Sequence, residues 1–209
     1  MIRAVLFDYG NVIARFDHMV FFERIARRSS LPREEVKEVV LRQREVLFEY
    51  ERGHISSAEF YRCVAKACTL SMSLEEFKAA FVDIFTIIPE TLALIRRLTP
   101  RYRLGILSNT NEWHYESHIR TLEEFPLFDV VALSFRVGAM KPDERFYRHA
   151  LAQLSLPAAA CVYVDDVEEY VNAAARLGFI ALQYTSHAEL LASLDRLGVL
   201  PTALPESRA

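Results

Sequence analysis

Four short apolar runs in this chain each stop at a polar residue. They are Ala4-Val5-Leu6-Phe7 before Asp8, Leu104-Gly105-Ile106-Leu107 before Ser108, Val130-Val131-Ala132-Leu133 before Ser134, and Val162-Tyr163-Val164 before Asp165. A run this short that is apolar throughout suits a strand buried on both faces, as in a parallel sheet. Amphipathic stretches with helical spacing follow the runs: Pro89 to Thr99, Glu144 to Leu154, and Val167 to Leu177, the last stopped by Gly178. Phe179 to Tyr184 reads as a fifth strand and Ala188 to Leu197 as a final helix. Strand and helix alternate, which predicts an α/β fold with a doubly wound, Rossmann-like parallel sheet covered on both faces.

The segment from Phe16 to Ile87 breaks that rhythm. Helical stretches over 18–30, 33–50, 56–68 and 73–85 are divided by the start signals Ser30-Leu31-Pro32, Ser56-Ser57 and Ser73. A four-helix insertion (16–87) after the first strand is the simplest account, with 1–15 and 88–209 forming the core. Pro201 to Ala209 is expected to be a frayed tail. With 52% hydrophobic and 25% charged residues the 209-residue chain has the composition of a folded protein, and its net charge of −3 gives no general attraction to nucleic acid or anionic lipid. No apolar run approaches the ~20 residues of a membrane span, and the first residues lead into a strand without a signal-peptide pattern, so a cytoplasmic protein is expected. Cys63, Cys68 and Cys161 lack metal-site spacing and read as reduced, structural thiols.

In a doubly wound sheet, ligands collect beyond the carboxyl ends of the strands. Those ends carry Asp8, Ser108 and Asp165-Asp166, with Lys141 on the loop after the third strand. Each has an ordinary reading when taken singly: a strand-end cap, a helix cap, a surface lysine. Together they suit phosphoryl transfer, in which carboxylates hold Mg²⁺, an ammonium and a hydroxyl bind phosphate oxygens, and a carboxylate can attack phosphorus.

Phe7-Asp8-Tyr9-Gly10-Asn11-Val12, Leu107-Ser108-Asn109-Thr110-Asn111, Gly138-Ala139-Met140-Lys141-Pro142 and Val164-Asp165-Asp166 resemble, in order, the four motifs of the haloacid dehalogenase superfamily. The Asp-x-Gly-Asn-Val form is similar to the branch containing α-D-glucose-1-phosphate phosphatases, and a helical insertion after the first motif resembles that superfamily's cap. The resemblance implies that Asp8 is the nucleophile and that Ser108 and Lys141 hold the phosphoryl group, with Tyr9, Gly10, Asn11 and Asn109 around it. It also implies that Asp8, the Gly10 carbonyl and Asp166 bind Mg²⁺, with Asp165 supporting from behind.

The implied function is a phosphatase for a small phosphorylated metabolite such as a sugar phosphate, acting through an aspartyl-phosphate. One departure matters: where most such phosphatases have a second Asp two residues after the nucleophile, this chain has Gly10. That acid is worth ~10²–10⁴ in rate. Its absence leaves water or a side chain such as Asn11 to substitute, and it keeps open a catalytically quiet binding module. A metal-independent dehalogenase is the further alternative, which the Asp165-Asp166 pair argues against. His114 and His118 are four residues apart without a third metal ligand nearby.

Overall fold

The computed structural model describes residues 1–200, so the expected tail over 201–209 lies outside the described residues. Strand β1 (Ala4–Phe7) leads through β2 (Ala14–Phe16) into five helices, α1 (His18–Ala26), α2 (Arg33–Arg42), α3 (Arg44–Glu51), α4 (Ser57–Ala67) and α5 (Leu74–Val82), and the chain returns through β3 (Phe85–Ile87). The remainder alternates: α6 (Pro89–Leu98), β4 (Arg103–Ser108), α7 (Glu112–His114), β5 (Val130–Leu133), α8 (Ser134–Val137), α9 (Glu144–Leu154), β6 (Cys161–Asp165), α10 (Glu168–Arg176), β7 (Ile180–Gln183) and α11 (His187–Arg196).

The five predicted strands form one parallel sheet in the order β5-β4-β1-β6-β7, with β1 at its centre. Side chains of β1 are buried on both faces, as its unbroken apolar run requires. Val5 and Phe7 join a core with Leu94, Ile95 and Leu98 of α6 and Leu190 and Leu194 of α11, whereas Ala4 and Leu6 face Phe146 and Ala150 of α9 and Ala173 and Ala174 of α10. The two-residue repeat of a strand thus builds a core on each side of the sheet. Among the described residues no helix is long and apolar enough to cross a membrane.

The insertion is a helical bundle with its own aromatic core, including Phe21, Tyr50, Phe60, Phe77 and Phe81. Helices α4 and α5 start at reciprocal caps, Ser56 with Glu59 and Ser73 with Glu76, where the sequence placed start signals. Two features differ from expectation. The helix expected over 33–50 is two, broken at Gln43 (φ −89°, ψ 15°), so the bundle has five helices. Glutamine is a good helix former, so no local signal marks the break; it turns both Val36 of α2 and Tyr50 of α3 into the bundle core. The antiparallel pair β2–β3, with Phe16 opposite Phe85, was not anticipated because three-residue strands are too short to show a period.

Gly105 sits where β4 passes closest to its neighbours. A Cβ there would stand 2.6 Å from Leu6 Cδ2 and 3.3 Å from the Val130 carbonyl oxygen. Overpacking of this kind costs about 1–3 kcal/mol. Gly105→Ala is therefore expected to lower Tm in a calorimetric scan, by about 2–4 °C per kcal/mol for a chain of this size; an unchanged Tm would show that the sheet yields at this point.

Candidate active site

Strand register assembles the site. Phe7 lies level with Ile106 of β4 and Val164 of β6, so the next residue, Asp8, stands beside Leu107 and Asp165, one step before Ser108. The Asp8 amide continues the ladder, donating to the Val164 carbonyl at 2.8 Å. The chain then turns sharply: the Tyr9 carbonyl accepts from the amides of Ile13 and Ala14, and Asn11 takes a positive φ of 54°.

Lys141 reaches this point from the loop between α8 and α9, almost fully buried. Its ammonium lies 2.8 Å from Asp8 Oδ1 and donates to Asp165 Oδ2 at 2.6 Å and to the Leu107 carbonyl at 3.0 Å. Burial alone would depress this lysine, but the two carboxylates hold it above the ordinary value. Asp8 is pushed up to about 7, by burial first and then by the charge of Asp165, with Lys141 pulling the other way. Asp165 is fully buried: the Tyr163 hydroxyl donates to the oxygen that also takes Lys141, and the Val167 amide donates to the other at 2.9 Å.

The remaining predicted residues surround this centre. Asn11 Nδ2 donates to Asp166 Oδ2 at 2.9 Å, so its amide is engaged with that carboxylate. Asn109 clamps the lysine loop, its Oδ1 accepting from the Lys141 amide at 2.8 Å and its Nδ2 donating to the Lys141 carbonyl at 3.1 Å. The Ser108 hydroxyl is buried, and its hydrogen bonding among the described residues is a single long 3.5 Å contact to the Asn109 carbonyl. The Tyr9 side chain turns away into the core under the sheet.

At Gly10 the ring of Phe16 fills the space a side chain would need. A Cβ would meet Phe16 Cε1 at 2.9 Å, with Asp8 Oδ2 3.8 Å away. The place of the second aspartate is therefore taken by an aromatic edge contributed by β2. His114 and His118 form no metal pair: their Nε2 atoms lie against the carbonyls of Phe81 and Val82 at the end of α5.

Four supporting residues escaped the sequence reading. Tyr163 and Phe16 look like ordinary strand hydrophobes. Ser134 accepts from the Thr110 amide at 2.9 Å and donates to its carbonyl at 2.8 Å, pinning the loop after β4. Tyr170 receives a long 3.4 Å contact from Asn109 Nδ2 and has Lys141 5.1 Å above its ring. Ser134 alone stood at a marked strand end.

One oxygen from each of Asp8, Asp165 and Asp166 can be chosen so that all lie within 4.8 Å of one another. An all-oxygen set of this kind suits a hard divalent cation. Since both Asp165 oxygens already accept hydrogen bonds, Asp8 and Asp166 have the freer lone pairs. A cleft of about 580 Å³ leads to Lys141, bounded by Phe48 and Arg52 on the bundle side and by Met140, Pro142 and Tyr170 on the other.

The family model of haloacid dehalogenase-like hydrolases matches residues 2–178. The chain is 24% identical over 198 residues to a D-ribitol-5-phosphate phosphatase of Bacteroides thetaiotaomicron, covering 90% of this chain and 95% of that protein. It is 26% identical over 204 residues to a drimenol cyclase of Aspergillus calidoustus, covering 94% of this chain but 37% of the cyclase, so it spans little more than a third of that relative. Over 86 residues it is 36% identical to a sesquiterpene phosphatase of Aspergillus oryzae, 41% of this chain and 40% of that one. Among solved structures, one described as a predicted HAD-like family hydrolase of Porphyromonas gingivalis superposes with a TM-score of 0.81 at 24% identity, covering 94% of this chain and 98% of its own. A HAD family enzyme of Bacteroides thetaiotaomicron, solved with magnesium and inorganic phosphate, superposes at 0.75 with 20% identity, covering 88% of this chain and 94% of its own.

The electrostatics of Asp8 carry a stability consequence. Its pKa rises from 3.8 to about 7 on folding, so this carboxyl favours the folded state below about pH 4, and that contribution is lost as pH rises to 7. Asp8→Asn is expected to stabilise the fold at pH 7.5 in chelator by on the order of 1–2 kcal/mol once the lost partner of Lys141 is counted, read as a higher Tm. The gain should shrink towards pH 4; a variant less stable than wild type at pH 7.5 would contradict it.

Proposed function

Since the chain belongs to the haloacid dehalogenase-like hydrolases, we propose that it is a Mg²⁺-dependent phosphomonoesterase acting on a small phosphorylated metabolite through an aspartyl-phosphate on Asp8. The single observation that carries this reading is the buried Lys141 ammonium held 2.8 Å from Asp8 and 2.6 Å from Asp165. That arrangement keeps a carboxylate and a fixed cation together in a buried site at the end of the central strand. Electrostatic preorganisation of this kind supplies much of the catalysis in phosphoryl transfer.

In this reading an Asp8 oxygen attacks phosphorus while Lys141 and Ser108 bind the phosphoryl oxygens. The ester P–O bond breaks as the Asp8 oxygen bonds to phosphorus, and the leaving oxygen keeps the bond pair and takes a proton from water, since Gly10 supplies no acid. Water then attacks the aspartyl-phosphate, releasing inorganic phosphate and restoring Asp8. Asp8, Asp166 and the Gly10 carbonyl would hold Mg²⁺, which would neutralise charge on the phosphoryl group. Tyr163 and Asp165 aim the lysine. Core residues 1–15 and 88–209 carry the chemistry, and the bundle over 16–87 acts as the cap that excludes water.

The resemblance favours a sugar phosphate, and one relative is named for a polyol phosphate, while two are named for terpenoid chemistry. The three free thiols support a cytoplasmic location. Phe16, standing where the second aspartate would be, favours the second reading of a slow or quiet binding module.

Phosphate release from p-nitrophenyl phosphate, acetyl phosphate and sugar phosphates, with and without Mg²⁺, separates the two. The phosphatase predicts Mg²⁺-dependent release that falls by at least roughly 10³-fold in Asp8→Asn. No release from any ester, including the activated acetyl phosphate, would leave the binding module. Tyr163→Phe should lower kcat about 10- to 100-fold with KM little changed, the usual cost of losing a group that orients another. Unchanged kcat would remove Tyr163 from the machinery.

A further inference from the structure

A second cavity, of about 200 Å³, lies on the bundle side of the site, distinct from the polar cleft that leads to Lys141. Its walls are the side chains of Phe21, Phe60, Val64 and Phe81 from α1, α4 and α5, closed by Leu47 of α3. The four from α1, α4 and α5 are almost wholly buried in the aromatic core of the bundle.

Two histidines tie this cavity to the nucleophile. His114, on the segment that follows the Ser108 end of β4, forms part of its lining. His18, at the start of α1, forms another part, and its ring lies 4.8 Å from that of Phe16. Phe16 is the residue whose edge covers Gly10 beside Asp8 Oδ2. Two aromatic rings in contact, His18 and Phe16, therefore stand between the cavity and the nucleophile.

The lining offers little to a hydroxylated group. His114 stacks on Phe81 with centroids 4.4 Å apart and planes 11° from parallel, and its ring nitrogens lie against Asn111 Nδ2 and the Phe81 carbonyl. Besides Glu51, the other polar lining groups are the exposed His18 and Arg44 and the half-buried amide of Gln43, against seven apolar side chains and Phe81. Glu51 is the one carboxyl among the lining residues, and burial pushes it up to about 7, towards its neutral form. A polyol buried here would lose hydrogen bonds to water that these walls scarcely replace, whereas a hydrocarbon would lose none. An apolar cavity of ~150 Å³ already takes up benzene.

We propose that this cavity receives an apolar organic group of the substrate, so that the chain acts on phosphate monoesters of apolar alcohols in preference to phosphorylated sugars or polyols. The assignment rests on the phosphatase reading for its chemistry. Its geometry stands on the cavity alone.

The test is a binding titration on the full chain with Mg²⁺, using n-alkylphosphonates from ethyl to octyl, which cannot be hydrolysed. Trp113 is the chain's one tryptophan and lies 6.0 Å from Phe81 and 6.4 Å from Phe60, so its fluorescence reports filling of the cavity. Kd should fall about fourfold per added methylene, the equivalent of ~0.8 kcal/mol each, until the cavity is full. Val64→Phe and Leu47→Phe, each checked for a native melting transition, should end that gain at a shorter chain while leaving ethylphosphonate affinity unchanged. Affinity independent of length in wild type, gains that survive both variants, or tighter binding of ribitol 5-phosphate than of octylphosphonate would overturn the proposal. An intact length dependence with no ester hydrolysed would count against the phosphatase reading alone.

Discussion

The Lys141 ammonium is the interaction on which the site depends. Its three N–H groups are spent on partners from three adjacent strands: the Leu107 carbonyl on β4, Asp8 after β1 and Asp165 on β6. Removing that ammonium would typically cost about 3–5 kcal/mol, because the carboxylates would be left buried and unpaired. The order β4-β1-β6 is therefore favoured twice, by the apolar strands that bury both faces and by a charge that finds all its partners in that order alone. A register slip of one residue would turn Asp8 to the opposite face and strand the lysine.

The helical insertion is coupled to this centre through aromatic contacts. Phe16 lies in the strand by which the chain leaves the core, and Phe85 lies opposite it in the strand by which the chain returns. Their rings are 6.1 Å apart, and Phe85 is 5.6 Å from Tyr9, the residue after the nucleophile. Tyr50 of α3 meets Trp113 edge-on, and its hydroxyl accepts from the Trp113 amide at 3.3 Å. The bundle thus reaches the core both beside Asp8 and beside the loop that follows Ser108. Gly10 permits this arrangement, since any side chain there would compete with Phe16 for the same space.

What could be read in advance divides along a physical line. Strands β1, β4, β5, β6 and β7 were legible because burial on both faces leaves an unbroken apolar run, and a site at strand ends follows from topology. Asp8, Ser108 and Asp165-Asp166 stood out as polar residues at those ends and Lys141 on the loop after the third strand; Asp8, Lys141, Asp165 and Asp166 come together, with Ser108 one register step along β4. The roles of Phe16 and Tyr163 could not be read: a phenylalanine in a three-residue strand and a tyrosine in a buried one have their ordinary apolar appearance, and only tertiary contact gives them a place beside Gly10 and Asp165. The split at Gln43 was equally hidden, because a good helix former yielded to the packing of Val36 and Tyr50.

Charge balance explains why such a site calls for a cation. Asp8, Asp165 and Asp166 bring three carboxylates together against the single ammonium of Lys141. With all three ionised the cluster carries two surplus negative charges, in a setting where burial already pushes Asp8 up to about 7. A phosphate ester, itself anionic, would be repelled by that surplus at close range in a medium of low effective permittivity. One divalent ion on Asp8 and Asp166 would cancel it and favour the ionised Asp8 that attack requires, while Asp165 stays with Lys141. Lys141 holds the carboxylates in place, and a divalent ion held by Asp8 and Asp166 would supply the positive charge that lets an anionic ester approach them.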